Sequence, residues 1–203
     1  MSLRPPTFVE NFKNMYQTII LLDNLYQKTE SVLEKAVRDW QLLPVEQLNK
    51  QPAPNAWSAA QCLEHLNFYG RHYLPEIEKA IAKGEKPAAK TFKSGWLGDY
   101  FYRLMLPNTE GPLKSKMNAP KNAIPPSDLD ARAVLAEFIE QQERLLTLID
   151  RARQVDLASV RVPISLLKWI RLKLGDTFLF FVAHLERHVL QVQRAVVQAT
   201  SVA

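Results

Sequence analysis

Four stretches of the chain repeat their apolar residues every three or four positions, and this period constrains the fold more than any other feature. The first stretch, residues 10–40, contains no glycine or proline. An apolar stripe with this spacing is typical of an amphipathic helix that packs against a core. A first long helix over residues 10–40 is therefore predicted, with its apolar stripe at Phe12, Met15, Ile19, Leu22, Tyr26, Leu33, Ala36 and Trp40.

The start of the second helix is the most clearly marked boundary in the sequence. Two prolines in residues 51–56 prevent the preceding helix from continuing. Ser58 and Gln61 have the spacing of a capping box, and Trp57 just before them is expected to pack on Cys62 as a hydrophobic staple. This predicts a second helix that begins at Ser58 and ends near residues 83–84.

Residues 85–126 interrupt the helical pattern with nine prolines and glycines. A connection of this length inside a compact domain is commonly functional. Its aromatic centre, residues 92–106, predicts a short helix that lies over the core. Two interpretations remain open: a lid over a site, or a long crossover between antiparallel or parallel helices.

The last third of the chain predicts two more helices. Ser127 is expected to cap the third, which runs to about Gln154. Residues 164–174 predict a short apolar turn closed by glycine, after which Asp176 or Thr177 is expected to cap a fourth helix that ends near Gln198. No convincing strand is predicted. The expected fold is an all-α, up-and-down four-helix bundle, a single domain over residues 1–203, with a long connection between helices 2 and 3.

The composition is typical of a globular protein, with 47% hydrophobic and 23% charged residues. No apolar run is long enough to span a bilayer and no secretory signal pattern is present, so a cytoplasmic protein is expected. The single cysteine, Cys62, excludes an internal disulfide and a zinc site made of several thiolates.

The net charge of +5 resides in one segment. Residues 83–121 hold eight basic and three acidic residues, and the rest of the chain is neutral. Such a segment can attract nucleic acid, anionic lipid or an acidic small molecule, but a solvated connection is the commoner explanation. No recognition helix with interleaved arginine and aromatic residues is present, so neither nucleic acid nor membrane is expected as a partner.

Two histidines on the fourth predicted helix are the strongest functional signal. His184 and His188 are four residues apart, so a helix presents both imidazoles on one face as a two-point metal clamp. The alternative is a pair of hydrogen-bonded core histidines, because two imidazoles alone do not hold an open metal site and a third ligand is usual.

The third ligand is expected on the inner face of another helix, because metal sites in bundles are built from facing helices. His65 lies about two turns after the Ser58 cap, and His72 lies two turns further, about 10 Å along the axis. One metal cannot readily take both. His65 is preferred because it lies on the clearly marked part of its helix, whereas His72 is expected at the surface or behind a ligand.

These motifs resemble a known family. The sequence Trp57-Ser58, then His65-Leu66, then His184-x3-His188-x2-Gln191 is similar to the DinB-like superfamily of metal-binding four-helix bundles, over most of the chain. The resemblance implies that His65, His184 and His188 bind a divalent metal, zinc or nickel, with open positions. Relatives include thiol-dependent S-transferases and isomerases, and others assigned as metal-dependent hydrolases. The resemblance also favours a homodimer.

Three neutral imidazoles leave a divalent metal its full charge and at least one open position. Residues that could orient a ligand or substrate are Gln61 and Tyr69 near His65, and Gln191 after His188. Glu64 and Glu186 are tempting general bases, but each points well away from its neighbouring histidine and is expected at the surface. Cys62 is expected to be a packing residue.

Three hypotheses follow for the function. The first is a metal-dependent thiol S-transferase or hydrolase that acts on a small molecule, with a low-molecular-weight thiol as a candidate partner. The second is a non-catalytic metal-binding or structural bundle. The third, a module that binds an anionic surface or nucleic acid through the basic segment, has the least support.

Overall fold

Helices dominate the structure, a computed structural model that describes residues 14–107, 118–165, 167 and 169–200. The helices are α1 Thr18–Lys35, α2 Val45–Asn49, α3 Ala59–Ala82, α4 Trp96–Met105, α5 Ala131–Arg151 and α6 Leu174–Thr200. A π-helical turn, Ala36–Trp40, extends α1, and the 3-10 turns are Lys121–Ala123 and Ala152–Gln154. The strands are β1 Met15–Gln17, β2 Thr91–Lys93, β3 Arg161–Pro163 and β4 Arg171–Lys173.

The four long helices form the predicted bundle, and the long connection between the second and third of them is confirmed. Helix α3 packs against α5 and α6, and α1 packs against the same two helices. The order around the bundle is therefore α1, α5, α3, α6. Helices that follow one another in the chain, α1 with α3 and α5 with α6, lie across its diagonal.

Side-chain contacts give the direction of each helix. Asn67 bonds to Val134 and Glu78 pairs with Arg144, so α3 and α5 are parallel. Rings of α3 meet rings of α6 in reverse order, so those two helices are antiparallel. Asp23 pairs with Arg153 and Trp40 packs on Phe138, so α1 runs opposite to α5. Direction therefore alternates from α1 to α3 and from α5 to α6, and only the step from α3 to α5 keeps it. This refines the up-and-down prediction, because α5 begins at the same end of the bundle as α3.

Four short strands correct the expectation that the chain contains none. Strand β1 pairs with β2, with Tyr16 opposite Phe92 and their rings 6.3 Å apart. The first helix consequently begins at Thr18, and the predicted residues 10–13 lie outside the described part of the chain. Strands β3 and β4 form a hairpin around the predicted apolar turn. Three-residue strands are too short to show an alternating apolar pattern.

The predicted start of the second helix is confirmed, whereas that of the third is wrong. Ser58 and Gln61 form both hydrogen bonds of the capping box. Helix α5 is capped by Asp130 rather than Ser127, because the Asp130 carboxylate accepts from two backbone N–H groups of the first turn. Both residues are favourable caps, and the chain from Ser127 onward becomes helical only at Ala131.

The prediction that Asp176 or Thr177 caps the fourth helix is also wrong, because α6 begins at Leu174, directly after β4. Asp176 instead accepts hydrogen bonds from the Ser94 hydroxyl and from the Gly95 N–H at 3.0 Å. It thereby fixes the first turn of α4 to α6. Gly98 of α4 lies so close that an added Cβ would stand 2.2 Å from the Asp176 carboxyl carbon.

The core lies between the four long helices, and its largest fully buried side chains include Phe92, Phe138 and Phe178. Helix α4, the predicted short helix of the connection, packs along α6, with Phe101 6.1 Å from Phe180. Within the described ranges, none of the helices combines the length and apolarity needed to cross a membrane.

Candidate metal centre

Three histidines meet between α3 and α6. Each of His65, His184 and His188 offers one ring nitrogen, and the three nitrogens lie within 4.8 Å of one another. His65 and His184 are buried and His188 is partly buried, so the cluster lies just beneath the surface. The structure thus brings together the two histidines of the last helix and the predicted partner on the second.

Local sequence and helix direction explain this convergence. The capping box fixes the start of α3, so His65 lies two turns into the helix on the face towards α6. His184 and His188 are one turn apart on the facing side of α6. Because α3 and α6 are antiparallel, residues early in α3 meet residues late in α6.

Two of the imidazoles are oriented by a hydrogen bond at Nδ1. His65 Nδ1 donates to the Ala123 carbonyl oxygen at 2.8 Å, and His188 Nδ1 donates to Gln191 Oε1 at 3.0 Å. Both acceptors are oxygens, so the proton is on Nδ1 and Nε2 keeps its lone pair. Metal-binding histidines use the same arrangement, in which the second nitrogen donates to a carbonyl or amide oxygen.

His184 has an unsatisfied nitrogen. Its Nδ1 is buried and has no hydrogen-bond partner in the described part of the chain. A buried polar atom without a partner costs about 1–3 kcal/mol, so native structures rarely keep one without reason. Together with the two oriented imidazoles, this atom fits a site that accepts a cation from outside.

All three histidines are held in the neutral state. Burial lowers the pKa of His65. Burial, together with the neighbouring His188 and His65, lowers the pKa of His184 well below its usual value. Burial and His65 lower the pKa of His188 to about 3. Neutral imidazole is the form that binds a metal, so the cluster is ready to act as a ligand set at neutral pH.

Aromatic rings surround the cluster. Trp57 lies 4.9 Å from His65 and 6.3 Å from His188, measured between ring centroids. Tyr69 meets His184 edge-on at 4.8 Å, and Phe180 lies parallel to the same imidazole at 6.0 Å. These rings pack against the imidazoles and restrict the orientation of the imidazole planes.

The three predicted supporting residues have different roles. Gln191 orients His188, and Tyr69 packs against His65 and His184, with burial raising its pKa to about 12. Gln61 does not contact the cluster through its amide. Its oxygen accepts from the Ser58 N–H and its nitrogen donates to the Pro126 carbonyl, so it serves the helix cap.

The remaining candidates lie away from the cluster, as predicted. His72 Nε2 is hydrogen-bonded to the Pro163 carbonyl at 3.2 Å. Glu64 pairs with Arg71 at 2.8 Å. Glu186 pairs with Lys28 of α1, also at 2.8 Å. None of the three is therefore placed to act at the histidine cluster.

Sequence reasoning missed two contributors to the site. Ala123 supplies the carbonyl that orients His65, and no sequence signal marks a backbone acceptor 58 residues away. Trp57 was expected only as a staple, yet its ring covers two of the imidazoles. Cys62 is buried, and burial raises the pKa of its thiol to about 12, so a packing role fits.

No curated protein matches the chain. Among solved structures, YfiT from Bacillus subtilis, described as a probable metal-dependent hydrolase with an unusual four-helix bundle topology, is similar with 14% identity and a TM-score of 0.48. The match covers 96% of this chain and 91% of that one. The DinB superfamily model matches residues 25–192, which is most of the chain, and the protein therefore belongs to the DinB superfamily.

Proposed function

We propose that His65, His184 and His188 bind one divalent metal ion, zinc or nickel, and that the protein uses it as a metal-dependent hydrolase or thiol S-transferase. One observation carries the proposal: three neutral imidazoles offer nitrogens within 4.8 Å of one another. No carboxylate faces them in the described part of the chain, so the ligand set is purely nitrogenous. Such a set suits zinc and nickel better than magnesium or calcium.

The protein's own groups supply orientation and shielding. The Ala123 carbonyl and Gln191 hold two imidazoles with Nε2 towards the centre. Trp57 and Tyr69 pack against His65 and His184 and shield those imidazoles. A divalent metal held by three neutral ligands keeps its full charge and an open position, with which it activates a water or thiol nucleophile.

Among the residues that the structure describes, no general base faces the histidine cluster, which favours a nucleophile that needs little help. Glu64 and Glu186 are held by ion pairs elsewhere, and burial raises the pKa of Tyr69 to about 12. A thiol ionises more readily than water, because its ordinary pKa is about 8.5. A low-molecular-weight thiol is therefore the preferred partner, with an electrophilic small molecule as its acceptor.

A non-catalytic metal-binding bundle is the alternative. In that case the ion joins α3 to α6 and only stabilises the fold. The oriented imidazoles are compatible with both functions, whereas an open coordination position serves only the first.

The two functions are separated by measuring metal binding and turnover on one preparation. Protein stripped with a chelator should regain one Zn²⁺ or Ni²⁺ per chain, and its melting temperature should rise with metal concentration. The loaded protein should then consume thiol in the presence of an electrophile, or hydrolyse an ester or amide.

Metal uptake without turnover would support the structural alternative. A chain that takes up no divalent ion and gains no thermal stability would overturn both. The matched control is His72→Ala, which removes an imidazole from the same helix but not from the cluster.

A further inference from the structure

A second concave site lies at the other end of α3. A pocket of about 310 Å³ forms between the end of this helix, the following turn and the β3–β4 hairpin. Lys83 lies 18 residues after His65, which corresponds to about 27 Å along a helix. The pocket is therefore separate from the metal centre. Its charged lining residues are Lys83, Glu85, Lys86, Arg161 and Arg171.

The arginines of this pocket differ from others in the molecule. Elsewhere, guanidinium groups are engaged by carboxylates or by backbone carbonyls, as at Arg38, Arg71, Arg103, Arg132, Arg144, Arg151, Arg153 and Arg187. Across residues 14–107, 118–165 and 169–200, the arginine side chains without a hydrogen bond or ion pair are Arg161, Arg171 and Arg194. Two of the three line this one pocket.

Two acidic groups that interact with these arginines are already engaged by other partners. Asp176 interacts electrostatically with Arg161, but it accepts its hydrogen bonds from Ser94 and Gly95. Glu76 interacts in the same way with Arg171, but its carboxylate pairs with Lys79 at 2.8 Å. Glu85 is the single acid among the lining residues. The pocket therefore keeps an excess of positive charge.

The hairpin itself places like charges together. Arg161 is directly opposite Lys173 in the β3–β4 register. Like charges at opposed positions destabilise a strand pair, and this hairpin has only three residue pairs to offset the cost. Lys173 donates to the Lys93 carbonyl at 2.7 Å, whereas no hydrogen bond or ion pair engages the Arg161 guanidinium among the described residues.

From these observations we infer that the pocket binds a small anion that carries a phosphate group. Two guanidinium groups that make no other bonds can each donate two parallel hydrogen bonds to phosphate oxygens. Lys83 and Lys86 add point charges around the rim. The volume suits a phosphate ester or diphosphate, and binding would relieve the repulsion within the hairpin.

The test measures binding of inorganic pyrophosphate to the full chain by isothermal titration calorimetry at constant ionic strength. Wild type should bind with saturation, and the double variant Arg161→Gln with Arg171→Gln should bind about tenfold more weakly or worse. The matched control, Arg38→Gln with Arg194→Gln, removes the same charge from the other end of the bundle and should change affinity less than about twofold.

Two further arms separate this site from the metal centre and identify the source of the phosphate. His184→Ala should bind pyrophosphate like wild type, because the pocket does not use the histidine cluster. Phosphatidylcholine vesicles that contain phosphatidic acid test a lipid headgroup: binding to them alone, lost in the Arg161/Arg171 variant, would place the phosphate on a lipid. No saturable binding to either probe, or equal loss in the two double variants, would overturn the inference.

Discussion

Two clusters of buried polar groups join α6 to its neighbours. They differ in whether the chain supplies hydrogen-bond partners for all of their polar atoms. At the Asp176 junction, the carboxylate receives hydrogen bonds from the Ser94 hydroxyl and the Gly95 N–H. At the histidine cluster, three bases face one another and His184 Nδ1 has no partner among the described residues. The first cluster is complete within the chain, and the second is the one for which we propose a bound metal ion.

From this difference we expect a structural role for the Asp176 junction and a functional role for the histidine cluster. A buried polar group that has its partners fixes two elements against each other. A buried group without them costs stability unless a ligand completes it. The Asp176 junction should therefore respond to mutation through folding alone, and the histidine cluster through metal binding. Four experiments test this contrast, beginning with the largest expected effect.

Removing any one imidazole of the cluster should abolish most metal binding. His65→Ala, His184→Ala and His188→Ala each leave two ligands, too few to hold the ion at an open site. Inductively coupled plasma mass spectrometry after gel filtration should find little metal in these variants. His72→Ala should retain wild-type stoichiometry, and metal loss in that variant alone would identify His72 as the ligand on α3.

Acid should destabilise the metal-free protein through the histidines. Their folded pKa values are lowered, so below about pH 6.5 the unfolded chain binds protons that the folded chain excludes. Stability is then fully present above that pH and is lost as pH falls towards the folded pKa values. Each histidine contributes up to about 1.4 kcal/mol per pH unit.

Urea denaturation of stripped protein between pH 7 and pH 5 measures this loss. Burial raises the folded pKa of Asp176, so its contribution has the opposite sign: protonation of this group favours the folded state. His184→Ala should reduce the slope with pH, and an unchanged slope would contradict the assignment to the cluster.

Asp176→Ala should lower the free energy of unfolding by up to about 3 kcal/mol, because it removes hydrogen bonds to a charged acceptor and leaves the Ser94 hydroxyl and the Gly95 N–H without one. Urea unfolding monitors the change. Metal stoichiometry of the folded variant should equal that of wild type. A variant as stable as wild type would show that the junction does not hold α4 in place.

Gln191 at the histidine cluster and Gln61 at the cap of α3 should respond differently to substitution. Gln191→Ala removes the acceptor of His188 Nδ1 and should weaken metal affinity about 10- to 100-fold, with little change in stability. Gln61→Ala removes one bond of the capping box and should cost about 1 kcal/mol of stability with little change in affinity. Competition with a chromogenic chelator measures the first effect and thermal unfolding the second. If both substitutions changed metal affinity and stability to the same extent, the two glutamines would not have separate roles.

The sequence predicted those features of the fold that depend on contacts between residues close together in the chain. The capping box at Ser58 and Gln61 involves residues three apart, so its pattern was visible and the start of α3 was predicted correctly. Tyr16 and Phe92 are separated in the chain by α1, α2 and α3, so their pairing has no local sequence pattern. Aspartate is a favourable N-cap residue, but the Asp176 carboxylate instead accepts a hydrogen bond from the distant Gly95 N–H.

The choice between His65 and His72 shows the limit of periodicity. The two histidines are seven residues apart, almost two full turns, so both lie on nearly the same face of α3. Their long-range partners separate them: His65 bonds to the Ala123 carbonyl and His72 to the Pro163 carbonyl. Sequence position favoured His65, and the structure adds the geometry that places it with His184 and His188.

The diagonal placement of consecutive helices has a consequence for how the chain folds. In a simple bundle, neighbours along the chain form a hairpin that can collapse early, because its contacts are close in sequence. Here α1 packs against α5 and α6, and α3 packs against the same two helices.

No early pair of long helices can therefore bury its apolar face alone, and the contact order is high for an all-helical protein. Folding should be slow for this class, because both halves of the chain are required before any part of the bundle is stable.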